Sequence, residues 1–218
     1  MGTTTVTTGC RMHSRCTRGS SAHWLVHWWD ERPRPKGRSW TWAAARGNSR
    51  TLLAEASDLP VTGVDVSPQA ITSAAETYPH RRFAVMDALT LPSRASAMIF
   101  ARSLSLYNTS GFAADRTVTN RLVTALQPGG VLIWLYNVTP GRAPGGWRHH
   151  SLDDVREHFA AYETAQVAIS PRLDAWLPSR MLWSPLWTRI AYRLARLFRL
   201  GGELIVILTA PGMMPPLT

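Results

Sequence analysis

Val61-Thr62-Gly63-Val64-Asp65-Val66-Ser67-Pro68 decides the fold, because it sets a buried strand, a carboxylate at the strand's end and a helix start one after another. Val61 to Asp65 is a short apolar, β-branched run of the kind that is covered on both faces. Ser67 offers a side-chain oxygen to cap the amides of a following helix, and Pro68 suits its first turn, so a helix is predicted to about Thr77. A strand that feeds directly into a helix is half of the repeating unit of a parallel α/β sheet.

The same rhythm continues on both sides. Thr51 to Ala56 reads as a helical segment, and Phe83-Ala84-Val85-Met86 and Ala97-Met98-Ile99-Phe100-Ala101 read as extended. Asp115 to Leu126 has apolar positions at helical spacing, and Gln127-Pro128-Gly129-Gly130 should stop that helix before a strand over Val131 to Leu135. Ser151-Leu152-Asp153-Asp154 has the spacing of a capping box and opens a helix to about Ala161. Thr164 to Ile169 and Glu203 to Leu208 are the last two strand candidates. Residues 171–201 lie between them as an insertion much longer than a hairpin turn. Within it, over Trp187 to Leu200, Arg189, Arg193, Arg196 and Arg199 fall on neighbouring helical positions, and Ile190, Leu194 and Leu197 on another face. This predicts a basic amphipathic helix with solvated arginines over a core-facing stripe; a substrate lid or contact with an anionic membrane surface are the alternatives.

Composition bounds the rest. The 218 residues fit one domain, residues 23–218, after an N-terminal arm over 1–22 that is rich in Thr, Ser, Gly and Arg and is expected to be disordered. The formal charge of +10 rests almost wholly on arginine, with Lys36 the only lysine, and reads as compositional, so nucleic acid is not the expected partner. Cys10 and Cys16, with His13 between them, are too few for a disulfide framework or a four-ligand metal site, and no metal is expected. No apolar run approaches the roughly 18 to 20 residues of a membrane span, and the expected location is the cytoplasm.

The chemistry sits at strand ends, since parallel α/β sheets bind ligands beyond the carboxyl ends of their strands. Asp65 ends its strand, where a carboxylate can accept from both hydroxyls of a ribose; as a lone residue it equally well caps the next helix or serves a nicotinamide enzyme. Met86-Asp87-Ala88 follows the third strand, twenty-two residues after Asp65, and leads to Leu91-Pro92. A carboxylate there can accept from an adenine amino group while the neighbouring backbone amide donates to a ring nitrogen; its structural alternative is a loop aspartate making an Asx turn.

With Leu126-Gln127-Pro128-Gly129-Gly130-Val131-Leu132-Ile133, these segments make three ordered motifs, and over about residues 38–135 the chain resembles class I S-adenosylmethionine-dependent methyltransferases of the small-molecule type. The resemblance implies a three-layer, Rossmann-like α/β fold with a seven-stranded, mostly parallel sheet whose last strand is antiparallel. It implies S-adenosyl-L-methionine as cofactor, with Asp65 and Val66 at its ribose, Asp87 and Ala88 at its adenine, and Gly47 in the glycine-rich loop. Arg102, in Ala101-Arg102-Ser103-Leu104, would lie near the methionine part and the substrate, a small-molecule methyl acceptor.

The first motif departs from the family. Where the family has an acidic, glycine-rich turn of the form Val-Leu-Asp-Leu-Gly-Cys-Gly, this chain has Ser39-Trp40-Thr41-Trp42-Ala43-Ala44-Ala45, and only Gly47 remains beyond it. The family string encoded as GTC CTG GAC CTG GGC TGC GGC, read one base late, gives Ser-Trp-Thr-Trp-Ala-Ala-Ala, all seven residues in order. A local frame shift, restored at Arg46-Gly47, also explains the five of ten tryptophans that fall between Trp24 and Trp42. Sequencing both strands of the gene tests it, and an unbroken frame in relatives with the same string would refute it.

His149, His150 and Tyr107 are candidate bases, the histidines as an exposed loop pair, with Arg102 and Trp147 as candidate pocket residues. The rival readings are an RNA or protein methyltransferase of the same fold and a non-catalytic α/β binding protein. A nicotinamide oxidoreductase fits poorly, as GxGxxG is absent and one lysine leaves no Tyr-x-x-x-Lys pair.

Overall fold

The apolar strands find partners in a single sheet of order β3-β2-β1-β4-β5-β7-β6. The structure is a computed structural model that describes residues 39–43, 61–102, 104–107, 112–138, 150–162, 166–171, 184–197 and 202–211. The strands are β1 (Ser39–Ala43), β2 (Val61–Asp65), β3 (Arg82–Val85), β4 (Ser96–Arg102), β5 (Leu126–Val138), β6 (Gln166–Pro171) and β7 (Gly202–Thr209). β1 pairs in parallel with both β2 and β4, so the sheet grows outward from it in two directions. The switch in strand order therefore falls between β1 and β4, and in parallel α/β sheets ligands bind beyond the strands' carboxyl ends at such a point. β7 runs antiparallel to both of its neighbours, β5 and β6.

The core follows from covering this sheet on both faces. Ser96 to Ala101 on β4, Val131 to Tyr136 on β5 and Leu204 to Leu208 on β7 are buried without alternation, as central strands of a layered α/β sheet must be. Fully burying each large apolar side chain, Phe100, Ile99 or Leu132 for example, contributes about 1.5–3 kcal/mol.

The helices are α1 (Pro68–Thr77), α2 (Phe112–Ala125), α3 (Leu152–Phe159) and α4 (Pro185–Leu197). Ser67 caps α1 as expected, its Oγ accepting from the Ala70 amide at 3.2 Å. The capping box of α3 is also present: Ser151 Oγ accepts from the Asp154 amide at 3.0 Å, and Asp154 Oδ2 accepts from the Ser151 amide at 3.2 Å. Ser151→Ala is expected to cost about 1 kcal/mol, read as a fall of about 2–4 °C in Tm.

Two expectations are corrected. Gln127-Pro128-Gly129-Gly130 does not separate helix from strand, because β5 already begins at Leu126. The pairing moves from Ser96↔Leu126 to Met98↔Val131, so two residues of β4 are matched by five of β5, and the segment is an irregularity inside the ladder. Gly129 turns it at φ 74°, and a Cβ on Gly130 would stand 2.8 Å from the Gln127 carbonyl oxygen. The second correction concerns α4, whose stripe does not face the core. Leu186, Ile190, Leu194 and Leu197 are exposed, at 67%, 40%, 42% and 73%, while Thr188 and Ala191 are the buried positions. The helix contacts the edge strand β6, with Trp187 and Tyr192 half-buried against the core, while these four aliphatic side chains are left outside.

Among the described residues no helix is long and apolar enough to cross a membrane. The expected arm over 1–22 and the expected helix over 51–56 lie outside the described residues.

Candidate functional site at the carboxyl edge of the sheet

Asp65 ends β2, and Asp87 lies two residues beyond the end of the adjacent parallel strand β3. Asp65 is level with Val85 in the β2–β3 register, and the Met86 amide donates to the Asp65 carbonyl at 3.0 Å, so Asp87 follows directly beside β2. Neighbouring strands lie about 4.8 Å apart, which places the two carboxylate-bearing residues within the span of one nucleoside. Each also makes the local bond that the structural reading predicts: Asp65 Oδ1 accepts from the Ser67 amide and Asp87 Oδ1 from the Leu89 amide, both at 2.9 Å. A carboxylate has about four lone-pair sites on two oxygens, so one amide bond orients it and leaves acceptor capacity for a ligand.

The surroundings are apolar at the surface and rigid beneath. Val66 and Leu89, which flank the carboxylates in sequence, are exposed, as is Val85. Below them Ala88 and Leu91 are fully buried, and Asp87 caps the short 3-10 turn Ala88–Thr90. Arg121 of α2 ties that turn down, donating from Nε to the Leu89 carbonyl at 2.8 Å and from Nη2 to the Leu91 carbonyl at 3.0 Å. Sequence reading missed Arg121, since nothing local marks a helical arginine that reaches back thirty residues.

Arg102 closes β4, half-buried, level with Ala43 of β1 on one side and Leu135 of β5 on the other. Asp65, Ala43 and Arg102 thus stand along one edge, on both sides of the switch point. Gly47 and Trp147 lie outside the described residues, as do Cys10, His13 and Cys16.

The candidate bases are corrected. His150 is no exposed loop residue; it is 4% exposed and packs edge-on against Tyr136, with ring centroids 4.5 Å apart. Its Nε2 lies 3.0 Å from the Tyr107 carbonyl oxygen, and a carbonyl only accepts, so Nε2 carries the proton. His149 lies outside the described residues. Tyr107 is buried in the second short turn, Ser105–Tyr107, with its hydroxyl 2.7 Å from Thr119 Oγ1; Thr119 in turn meets His158 Nε2 at 2.8 Å. Burial pushes the Tyr107 phenol well above its ordinary pKa, against the opposing effect of the Thr119 bond, so it holds its proton too tightly to act as a base.

Burial raises the Tyr162 phenol as well. Both shifts favour the neutral form in the folded chain, so their stabilisation is whole below the unfolded value of about 10 and is lost as pH rises past it. Denaturant melts between about pH 9 and pH 11 should show stability falling, with a shallower fall in Tyr107→Phe.

No protein-family model matches the sequence, and no curated protein matches it. Solved structures do match, at low identity. The Haemonchus contortus phosphoethanolamine N-methyltransferase 2 superimposes with a TM-score of 0.61 at 14% identity, over 89% of this chain and 53% of that one, so this chain spans about half its length. The N-methyltransferase NodS from Bradyrhizobium japonicum WM9 gives 0.58 at 15% identity, over 87% and 94%. The [4+2]-cyclase SpnF gives 0.58 at 18% identity, over 86% and 80%. With a sheet switching between β1 and β4, β7 reversed between β5 and β6, and these neighbours, the chain has the Rossmann-like α/β fold of the class I S-adenosylmethionine-dependent methyltransferases.

Proposed function

We propose that the chain binds S-adenosyl-L-methionine across the β1–β4 switch point and transfers its methyl group to a small-molecule acceptor in the cytoplasm. The working unit would be residues 23–218, with the family's complete seven-stranded sheet and an insertion at 171–201. The single observation that carries this reading is the pair Asp65 and Asp87, oriented by amide bonds at and just beyond the ends of adjacent strands with acceptor capacity to spare.

In this reading Asp65 accepts from the ribose hydroxyls beside Val66, Asp87 accepts from the adenine amino group, and the Ala88 amide donates to the ring. Val66 and Leu89 cover the flat faces of the base, and Arg102 attends the methionine carboxylate. The cofactor supplies an electrophilic methyl group with its own leaving group, so the protein's part is to position the acceptor and exclude water. His150 and Tyr107, both buried, are not available as a side-chain base among the described residues. Residues 136–150 and 171–201 are the segments that would shape the acceptor's pocket.

Isothermal titration with S-adenosylhomocysteine tests this. Asp65→Ala and Asp87→Ala should each weaken binding about 10- to 100-fold, the worth of one or two hydrogen bonds to a charged group. Unchanged affinity in both would sink the assignment. A second reading is favoured by Ala43-Ala44-Ala45: a remnant whose cofactor turn has been lost and which no longer turns over. Silence in the titration that persists after the turn is restored would point to a non-catalytic α/β binding protein.

A further inference from the structure

We infer that α4 is an interfacial anchor that seats this protein on an anionic lipid surface. The helix presents three sectors. At about 100° per residue, Leu186, Ile190, Leu194 and Leu197 fall within roughly 80° of arc, Arg189 and Arg193 border them on one side, and Thr188 and Ala191 lie behind. The structure exposes the first two sectors and buries the third against the protein. Among the described residues none covers these four exposed aliphatic side chains, and a continuous stripe of this kind marks an interaction surface.

Charge selects the occupant. α4 contains no acidic residue, so nothing on it neutralises Arg189 or Arg193. Arg156 of α3 adds to the same field: its Nη2 donates to the Pro185 carbonyl at the start of α4, at 3.3 Å. Its pKa is lowered by burial and then by repulsion from Arg189. A two-fold pairing of this face with a second copy would bring equivalent arginines toward one another across a cation-rich interface. Nucleic acid would use the arginines but gains nothing from leucines, since its bases stack on aromatic rings. An anionic bilayer uses both sectors, the leucines entering the acyl boundary while the arginines meet phosphate. This inference does not rest on the cofactor assignment, and the two fail separately, since one is read with vesicles and the other with S-adenosylhomocysteine.

Flotation of the full chain with vesicles of phosphatidylcholine alone, or with phosphatidylglycerol added, tests the inference. Retention should require phosphatidylglycerol and fall as salt is raised. Arg189→Ala and Arg193→Ala should each weaken it about fivefold, and Leu194→Gln and Leu197→Gln about tenfold each. All four positions are exposed, and unchanged thermal melts would confirm that the variants fold. The inference is overturned by absence of binding, by equal binding to neutral vesicles, or by binding that the leucine variants leave intact. A concentration-dependent dimer that Leu194→Gln dissociates, without vesicle binding, would assign the face to a second copy and equally overturn it. Capture of duplex nucleic acid that depends on the arginines alone would do the same.

Discussion

Exchanging Ser39–Ala45 for Val-Leu-Asp-Leu-Gly-Cys-Gly is expected to raise affinity for S-adenosylhomocysteine about fivefold and the melting temperature by about 2–12 °C. β1 borders the switch point and is paired in parallel on both sides, and its last residue, Ala43, is level with Arg102. Ala43 therefore ends β1 at the carboxyl edge where the proposed cofactor would bind. Two tryptophans in place of the family's leucines are expected to overfill this strand, at about 1–3 kcal/mol. An alanine in a turn that wants positive φ adds roughly 1 kcal/mol more. The first cost is one of folding and is read in the melting temperature; the second falls on the cofactor turn and, at about 1.4 kcal/mol per tenfold, gives the fivefold gain in affinity. The exchange divides into two halves that separate the causes. Trp40→Leu with Trp42→Leu should act mainly on the melting temperature, and Ala43→Gly with Ala45→Gly mainly on the titration. A full exchange that leaves both measurements unmoved would show that the altered string is not what limits this site.

Local features were legible in the sequence, and distant ones were not. The Ser67 cap and the Ser151 box could be read because their partners lie three residues away. The positions of Asp65 and Asp87, at the end of β2 and just after β3, could be read because the apolar runs before them mark those strands. Arg121 could not, because its partners are brought to it only by the fold. His150 looked like a loop residue beside His149, and only the packing of Trp134 and Tyr136 buries it. The turn chemistry of Gln127 to Gly130 predicts a helix stop, but the helix already ends at Ala125, the pairing with Ser96 recruits Leu126 into the strand, and the turn becomes an irregularity within β5. For α4, periodicity gives the angle between faces and not which one the sheet takes. Apolar character argued for the leucines, but Thr188 and Ala191 are the buried positions.

Trp134→Ala is expected to be the most destabilising of the single substitutions considered, costing about 3–5 kcal/mol and lowering Tm by about 6–20 °C. Trp134 is 1% exposed at the centre of β5, level with Ala101 of β4 and Val206 of β7. Its ring stacks on Tyr136 at 5.4 Å, meets Tyr107 edge-on at 5.5 Å and leans on Phe159 of α3 at 5.6 Å. One side chain thus joins the sheet, the turn after β4 and a helix of the covering layer, and truncation opens a cavity among rings that cannot collapse into it. The indole Nε1 is buried with no hydrogen-bond partner among the described residues. Trp134→Phe keeps an aromatic ring there and removes that donor, so the recovered desolvation offsets part of the lost volume, and the expected cost is under about 1.5 kcal/mol. Equal losses in the two variants would mean that the indole nitrogen has a partner worth keeping. A small loss for phenylalanine and a large one for alanine would establish that ring packing holds the turn carrying Tyr107 against the sheet, next to the strand end where Arg102 stands.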